Sequence, residues 1–243
     1  MDIKKITITK KQFDLLPEKE KVFFVQLGHL QNEITTLTKL LIFSETKSET
    51  EVIKKAYTMQ KLLIAKLSIG KLHEGWDLLQ KNFFGSGLSK KYEPKLPPQG
   101  LTYLKNLKKY FGGKKLVSDI RNNFSFHNPS FDEISKQLKA IPGDTEFQVF
   151  LGKDYATTNY YMAEEIVLNT MLNYVKKTTL QDAMNEIFKD LAEVSGWFIG
   201  FGGYCMVVLL DEFMGPGELK METLEVEGQG KVKEITIPFF VEN

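Results

Sequence analysis

Apolar residues in the first third of the chain recur at helical steps. Val22, Val25, Leu30, Ile34, Leu37 and Leu41 follow one another at three- to five-residue intervals, which predicts a first long helix over Asp14–Phe43. Pro17 suits its first turn, where a missing N–H costs nothing, and Gly28 weakens the helix without ending it. Ser48 followed by Glu51 has the spacing of a capping box, so a second, antiparallel helix is expected to start there. Val52, Ala56, Met59, Leu63, Leu67, Leu72 and Trp76 carry it to about Phe84. Gly85–Gln99 holds Gly85, Gly87, Pro94, Pro97 and Pro98 among lysines and predicts a loop of about fifteen residues. Two shorter helices follow, Gln99–Phe111 and Lys114 to about Phe126, separated by Gly112-Gly113. Pro129 drives Asn128 out of helical geometry and ends the second of them near His127.

Beyond Ser130 the pattern gives a short helix over Asp132–Ala140, stopped by Pro142-Gly143, and longer ones over Asn159–Tyr174 and Thr179–Phe213. Phe147–Leu151 fits strand or helix equally. Leu219–Val226 and Lys231–Val241 place β-branched residues on either side of Gly228-Gln229-Gly230, the pattern of a terminal β-hairpin. The chain therefore reads as mainly α, with a helical second half and a small β appendage. A boundary near Ser130 would divide it into 1–130 and 131–243; one continuous helical body fits the same pattern.

With 243 residues, 42% apolar and 26% charged, the composition is that of a globular protein able to bury a core. The net charge of +1 conceals an uneven distribution: Met1–Ser130 carries 23 basic and 12 acidic residues, Phe131–Asn243 carries 9 and 19. Such asymmetry fits either a polyanion footprint or two halves that attract each other on folding. The single cysteine, Cys205, excludes an internal disulfide framework and lies in an apolar run that predicts a buried thiol, as expected in a reducing cytoplasm. Met1–Lys11 has no apolar segment of secretory type, so a cytoplasmic location is expected. Val194–Leu210 is a run of 17 uncharged residues diluted by four glycines, which reads as a core helix in preference to a membrane span. Its Gly196 and Gly200, four apart, would let another helix approach closely.

Several familiar devices are missing, among them a dinucleotide glycine fingerprint, a phosphate loop and a paired-histidine metal helix, and the sequence implies no cofactor. Of the three histidines, His29 and His73 lie within helical patterns and read as structural. His127 closes the string Ile120-Arg121-Asn122-Asn123-Phe124-Ser125-Phe126-His127, and Arg121 is the one arginine beside 31 lysines. A guanidinium presents a planar donor fork to carboxylate or phosphate, which an ammonium does not. Six helical residues rise about 9 Å and turn roughly 600°, so Arg121 and His127 point about 120° apart, a gap that a long arginine narrows.

This string resembles the motif of HEPN domains, an arginine and a polar residue followed after a few positions by a histidine, here Arg121-Asn122-x4-His127. The surrounding residues are similar to those of uncharacterised bacterial proteins of HEPN type, over roughly Glu18 to Ser130. The resemblance implies an antiparallel helical bundle that pairs as a homodimer, and metal-independent cleavage of RNA, as in toxin or antiphage-defence ribonucleases. By motif position His127 would move the proton, Arg121 would hold the phosphate, and Asn122 would orient a neighbour or bind RNA. Lys108, Lys109, Lys114 and Lys115 precede the motif and would draw the RNA backbone in by charge. Residues 131–243 lie outside the resemblance and would serve regulation or target recognition; the partners implied for the protein are RNA, a second copy of the chain and an antitoxin or regulatory protein. The alternatives are a non-catalytic HEPN-like module that binds RNA or protein, and a structural protein whose basic and acidic halves meet.

Overall fold

A computed structural model describes residues 1–113, 128–153, 157–175, 180–214, 221–228 and 230–240. Most of them are helical. The elements, in chain order, are β1 (Asp2–Ile6), α1 (Lys10–Phe13), α2 (Glu18–Phe43), α3 (Glu51–Leu78), α4 (Leu88–Tyr92), α5 (Pro98–Phe111), α6 (Phe131–Ala140), α7 (Tyr161–Val175), α8 (Leu180–Met214) and β2 (Met221–Glu225).

The long helices form where the apolar stripes predict them, although α2 turns a different face inward. Phe23, Leu27, Leu30 and Ile34 are buried at steps of four and three, while Val22 and Val25 are exposed. A phenylalanine and two leucines bury more apolar surface than the valines and set the rotation of the helix. In α3, Ile64, Ala65, Ile69 and Leu72 are buried and Leu63 and Leu67 are exposed. The α3 start also departs from the expected capping box: Ser48 Oγ accepts from the Thr50 N–H at 3.2 Å, and the Thr50 carbonyl takes the bond from Lys54. At α6 a capping box does form, with Ser130 Oγ accepting from the Glu133 N–H at 3.3 Å and the Glu133 carboxylate accepting from the Ser130 N–H at 2.7 Å.

Two expectations are corrected. The terminal β-hairpin is replaced by a sheet between the two ends of the chain: β2 pairs antiparallel with β1, from Asp2 opposite Glu225 to Ile6 opposite Met221. Lys5 meets Glu222 at 3.1 Å across it, and residues 230–240 contain a short 3-10 turn, Val232–Glu234, and no strand. The loop expected over 85–99 is also ordered structure. Gly87 takes a left-handed φ of 83°, which glycine adopts without strain, and leads into α4 and a 3-10 turn, Glu93–Lys95. Leu88, Tyr92 and Leu96 turn inward, and their burial outweighs the punctuation of glycine and proline.

The described chain divides into two compact units, each drawn from segments on both sides of Ser130, so neither matches 1–130 or 131–243. One comprises 1–36, 74–113 and 194–231; the other comprises 37–73, 114–193 and 232–243. In the first, Phe23 stacks on Phe83 at 5.3 Å, Phe201 meets Phe83 edge-on at 5.5 Å, and Phe198 meets Phe111 at 6.0 Å. The uncharged run of α8 thus supplies this core with Val194, Phe198, Phe201, Cys205 and Leu209. By length and composition alone, Asp182–Met214 is long and apolar enough to cross a membrane. In the second unit, α6 packs on α7, Phe150 and Asn159 exchange backbone hydrogen bonds, and Lys55 donates to Gln148 at 2.6 Å.

Candidate nucleic-acid interface

Helix α5 ends at Gly112-Gly113, just before the motif. Pro98 opens it, and Leu104, Leu107 and Tyr110 turn inward at steps of three, which leaves Lys105, Lys108 and Lys109 on its exposed side. Two of the lysines expected from sequence therefore reach solvent. Lys108 is restrained there: its Nζ lies 2.9 Å from both carboxylate oxygens of Glu93 and 4.9 Å from the centre of the Phe84 ring. Glu93, which opens the 3-10 turn after α4, was not expected as a partner. Arg121, Asn122, His127, Lys114 and Lys115 lie outside the described residues.

Beside Lys108 an open cleft of about 620 Å³ is lined by Trp76, Gln80, Phe84, Gly85 and Lys108. Its wall is built by a change of helical pitch. After Leu78 the chain of α3 runs on as one π-helical turn, Leu79–Phe84, closed by a bond from the Gly85 N–H to the Gln80 carbonyl at 2.9 Å. A side chain at residue 85 would bring its Cβ to 2.8 Å from the Lys81 carbonyl oxygen, so glycine fits this exit. Phe83 enters the core, and the next residue, Phe84, is half-buried and lies 5.8 Å from Trp76. Phe111 stacks on the indole at 5.0 Å and holds its ring plane. Single π turns inside α-helices recur at functional sites because they alter the direction of consecutive side chains. Nothing in the sequence marks this one; Trp76 and Phe84, eight residues apart, read as an ordinary apolar stripe.

Other lysines that the sequence placed in a basic loop are committed to structure. Lys91 Nζ lies 3.2 Å from the buried carboxylate of Glu20 and 3.6 Å from Glu212, and Lys95 also pairs with Glu212. The Tyr92 hydroxyl donates to Glu20 at 3.4 Å. The Tyr92 hydroxyl and then Glu20 push the Lys91 pKa up to about 12, against the opposing effect of burial. These residues join α2, α4 and the end of α8 within one unit.

Among the described residues the remaining reactive groups form no second centre. Cys205 is buried, and desolvation pushes its thiol up to about 12, so it stays protonated and weakly nucleophilic. His29 is exposed and lies 3.4 Å from Glu33 on the next turn. Among the described residues no group of three or more His, Cys, Asp and Glu side chains is placed to hold a metal ion. The chain is thus a mainly helical protein with a two-stranded antiparallel sheet among its described residues and a basic, aromatic-lined cleft in one unit. No family model, curated protein or solved structure matches it.

Proposed function

We propose that the protein is a HEPN-like, metal-independent endoribonuclease of toxin or antiphage-defence type that works as a homodimer. The observation that carries this reading is the Arg121-Asn122-x4-His127 string, with the chain's one arginine set six residues before a histidine. In the proposed reaction the ribose 2′-hydroxyl attacks the adjacent phosphorus and the bond to the 5′-oxygen breaks. The products are a 2′,3′-cyclic phosphate and a free 5′-hydroxyl, so one proton leaves the nucleophile and one reaches the leaving group. His127 handles that proton, Arg121 stabilises the charge gathering on the phosphate, and Asn122 orients a neighbour or the RNA. Two long helices, α2 and α3, precede the motif, and exposed Lys105 and Lys109 offer charge to a phosphate backbone.

Digestion of RNA in the presence of a chelator tests the reading. Wild type is expected to yield cyclic-phosphate ends, and Arg121→Ala and His127→Ala each to lower the rate by roughly 10²-fold or more. Cleavage that survives both substitutions removes the site. A second reading, an RNA-binding module without catalysis, is favoured by the cleft at Lys108, whose lining combines aromatic rings, an amide and an ammonium. RNA retained in a mobility shift without any product would select it.

A further inference from the structure

We infer that the cleft lined by Trp76, Gln80, Phe84, Gly85 and Lys108 is a nucleotide subsite for single-stranded RNA, and that Glu93 competes with the RNA phosphate for Lys108. The inference rests on the proposal that RNA is the ligand and adds where one nucleotide sits. A base has a flat π-face and a polar edge, and the phosphate beside it is an anion. The cleft offers the half-buried ring of Phe84 for the face, with the buried indole of Trp76, stacked on Phe111, as the wall beside it, the Gln80 amide for the edge and the Lys108 ammonium for the anion. Base stacking on aromatic side chains with a cation at the backbone is the general means of holding single strands. The cleft is shallow and open to solvent, and its volume of about 620 Å³ leaves room for one nucleotide and its neighbouring phosphate.

The ion pair gives the site a property that a bare aromatic groove lacks. Lys108 is held by both oxygens of Glu93 at 2.9 Å while its ammonium lies over Phe84, so the cation is neutralised and the ring is covered on that side. A phosphate must displace Glu93, and the base then takes the face of Phe84 that Lys108 vacates. Removing the carboxylate should accordingly strengthen binding, and only while Lys108 is present.

The test uses the full chain in a Trp197→Phe background, where Trp76 is the single indole. The probe is a short 2′-O-methyl oligouridylate, which cannot be cleaved by 2′-hydroxyl attack. The oligomer is expected to quench Trp76. Phe84→Leu, which keeps apolar volume without a π-face, and Lys108→Gln should each weaken binding at least about fivefold. Glu93→Gln should tighten it, and the gain should vanish in the Glu93→Gln/Lys108→Gln double variant. Glu222→Gln, on β2, controls for loss of a negative charge elsewhere, and thermal melts confirm that each variant folds. Unchanged affinity in both Phe84→Leu and Lys108→Gln overturns the subsite. If Arg121- and His127-dependent cleavage persists in that case, the ribonuclease reading stands and the subsite alone falls. Cleft-dependent binding without any cleavage gives the converse.

Discussion

Gly196 and Gly200 lie one turn apart on α8 and meet opposite surroundings. A Cβ at residue 196 would have open space, whereas one at residue 200 would run into the ring of Tyr103 on α5. Gly202 is as tightly held: its missing Cβ leaves room for Gln31, whose amide donates to the Phe198 carbonyl at 2.6 Å. The four-residue spacing signals close approach but does not tell which member provides it, because that depends on a ring 97 positions away in sequence. Gly200→Ala should therefore destabilise the protein by about 1–3 kcal/mol, since Tyr103 is a rigid ring that must move bodily. Gly196→Ala should stabilise it by roughly 0.5–1 kcal/mol, the usual gain of alanine over glycine inside a helix. Chemical denaturation of both variants against wild type checks the two signs, and equal effects would mean that α5 and α8 do not meet at Tyr103.

At the level of elements, the ends of α2, α4 and α8 in one unit are joined by Glu20, Lys91, Lys95 and Glu212. The hydrogen bond from Lys95, reinforced by the charges of Lys95 and Lys91 and opposed by burial, holds the Glu212 carboxyl below its ordinary 4.5. A carboxylate with a depressed folded pKa adds stability above its unfolded pKa and loses it as the pH falls through the folded one. Wild type should therefore melt above Glu212→Gln at neutral pH, by the equivalent of roughly 0.2–1 kcal/mol for a partly solvated pair. The two should converge as the pH drops below 4.5. A difference that persists in acid would assign the effect to packing. Local signals serve such elements unevenly. Ser130 and Glu133 complete a capping box at the start of α6, whereas the same spacing at Ser48 and Glu51, which predicts one for α3, forms none. The partner of β2 is invisible to the same logic: Gly228-Gln229-Gly230 suggests a turn, yet Met221–Glu225 pairs with residues at the opposite end of the chain. Residues 85–99 mislead in the other direction, because their glycines and prolines shape short turns around the buried Leu88, Tyr92 and Leu96.

For the whole molecule, the charge asymmetry of the two sequence halves does not survive as an asymmetry between units. The first unit holds 15 basic and 14 acidic residues and the second holds 17 of each, because each unit draws segments from both halves. The basic half is thus balanced within each unit, so the proposed binding of RNA would rest on local groups such as the exposed Lys105 and Lys109 and not on net charge. The motif is legible in sequence because it is short and contains the one arginine; the cleft is not, because a π turn and a pair of residues from different elements create it. The same interleaving determines what happens if the chain is cut at Ser130. Residues 1–130 retain Phe23, Phe83 and Phe111 but lose Val194, Phe198, Phe201 and Leu209, all of which are fully buried in the first unit. Four such side chains contribute about 6–12 kcal/mol at 1.5–3 kcal/mol each, which is comparable to the whole net stability of a typical protein. The fragment 1–130 should therefore show no cooperative thermal transition and should bind a hydrophobic dye, whereas the full chain should melt cooperatively. A fragment that melts sharply with native-like chemical-shift dispersion would show that the helices before Ser130 form a core without α8.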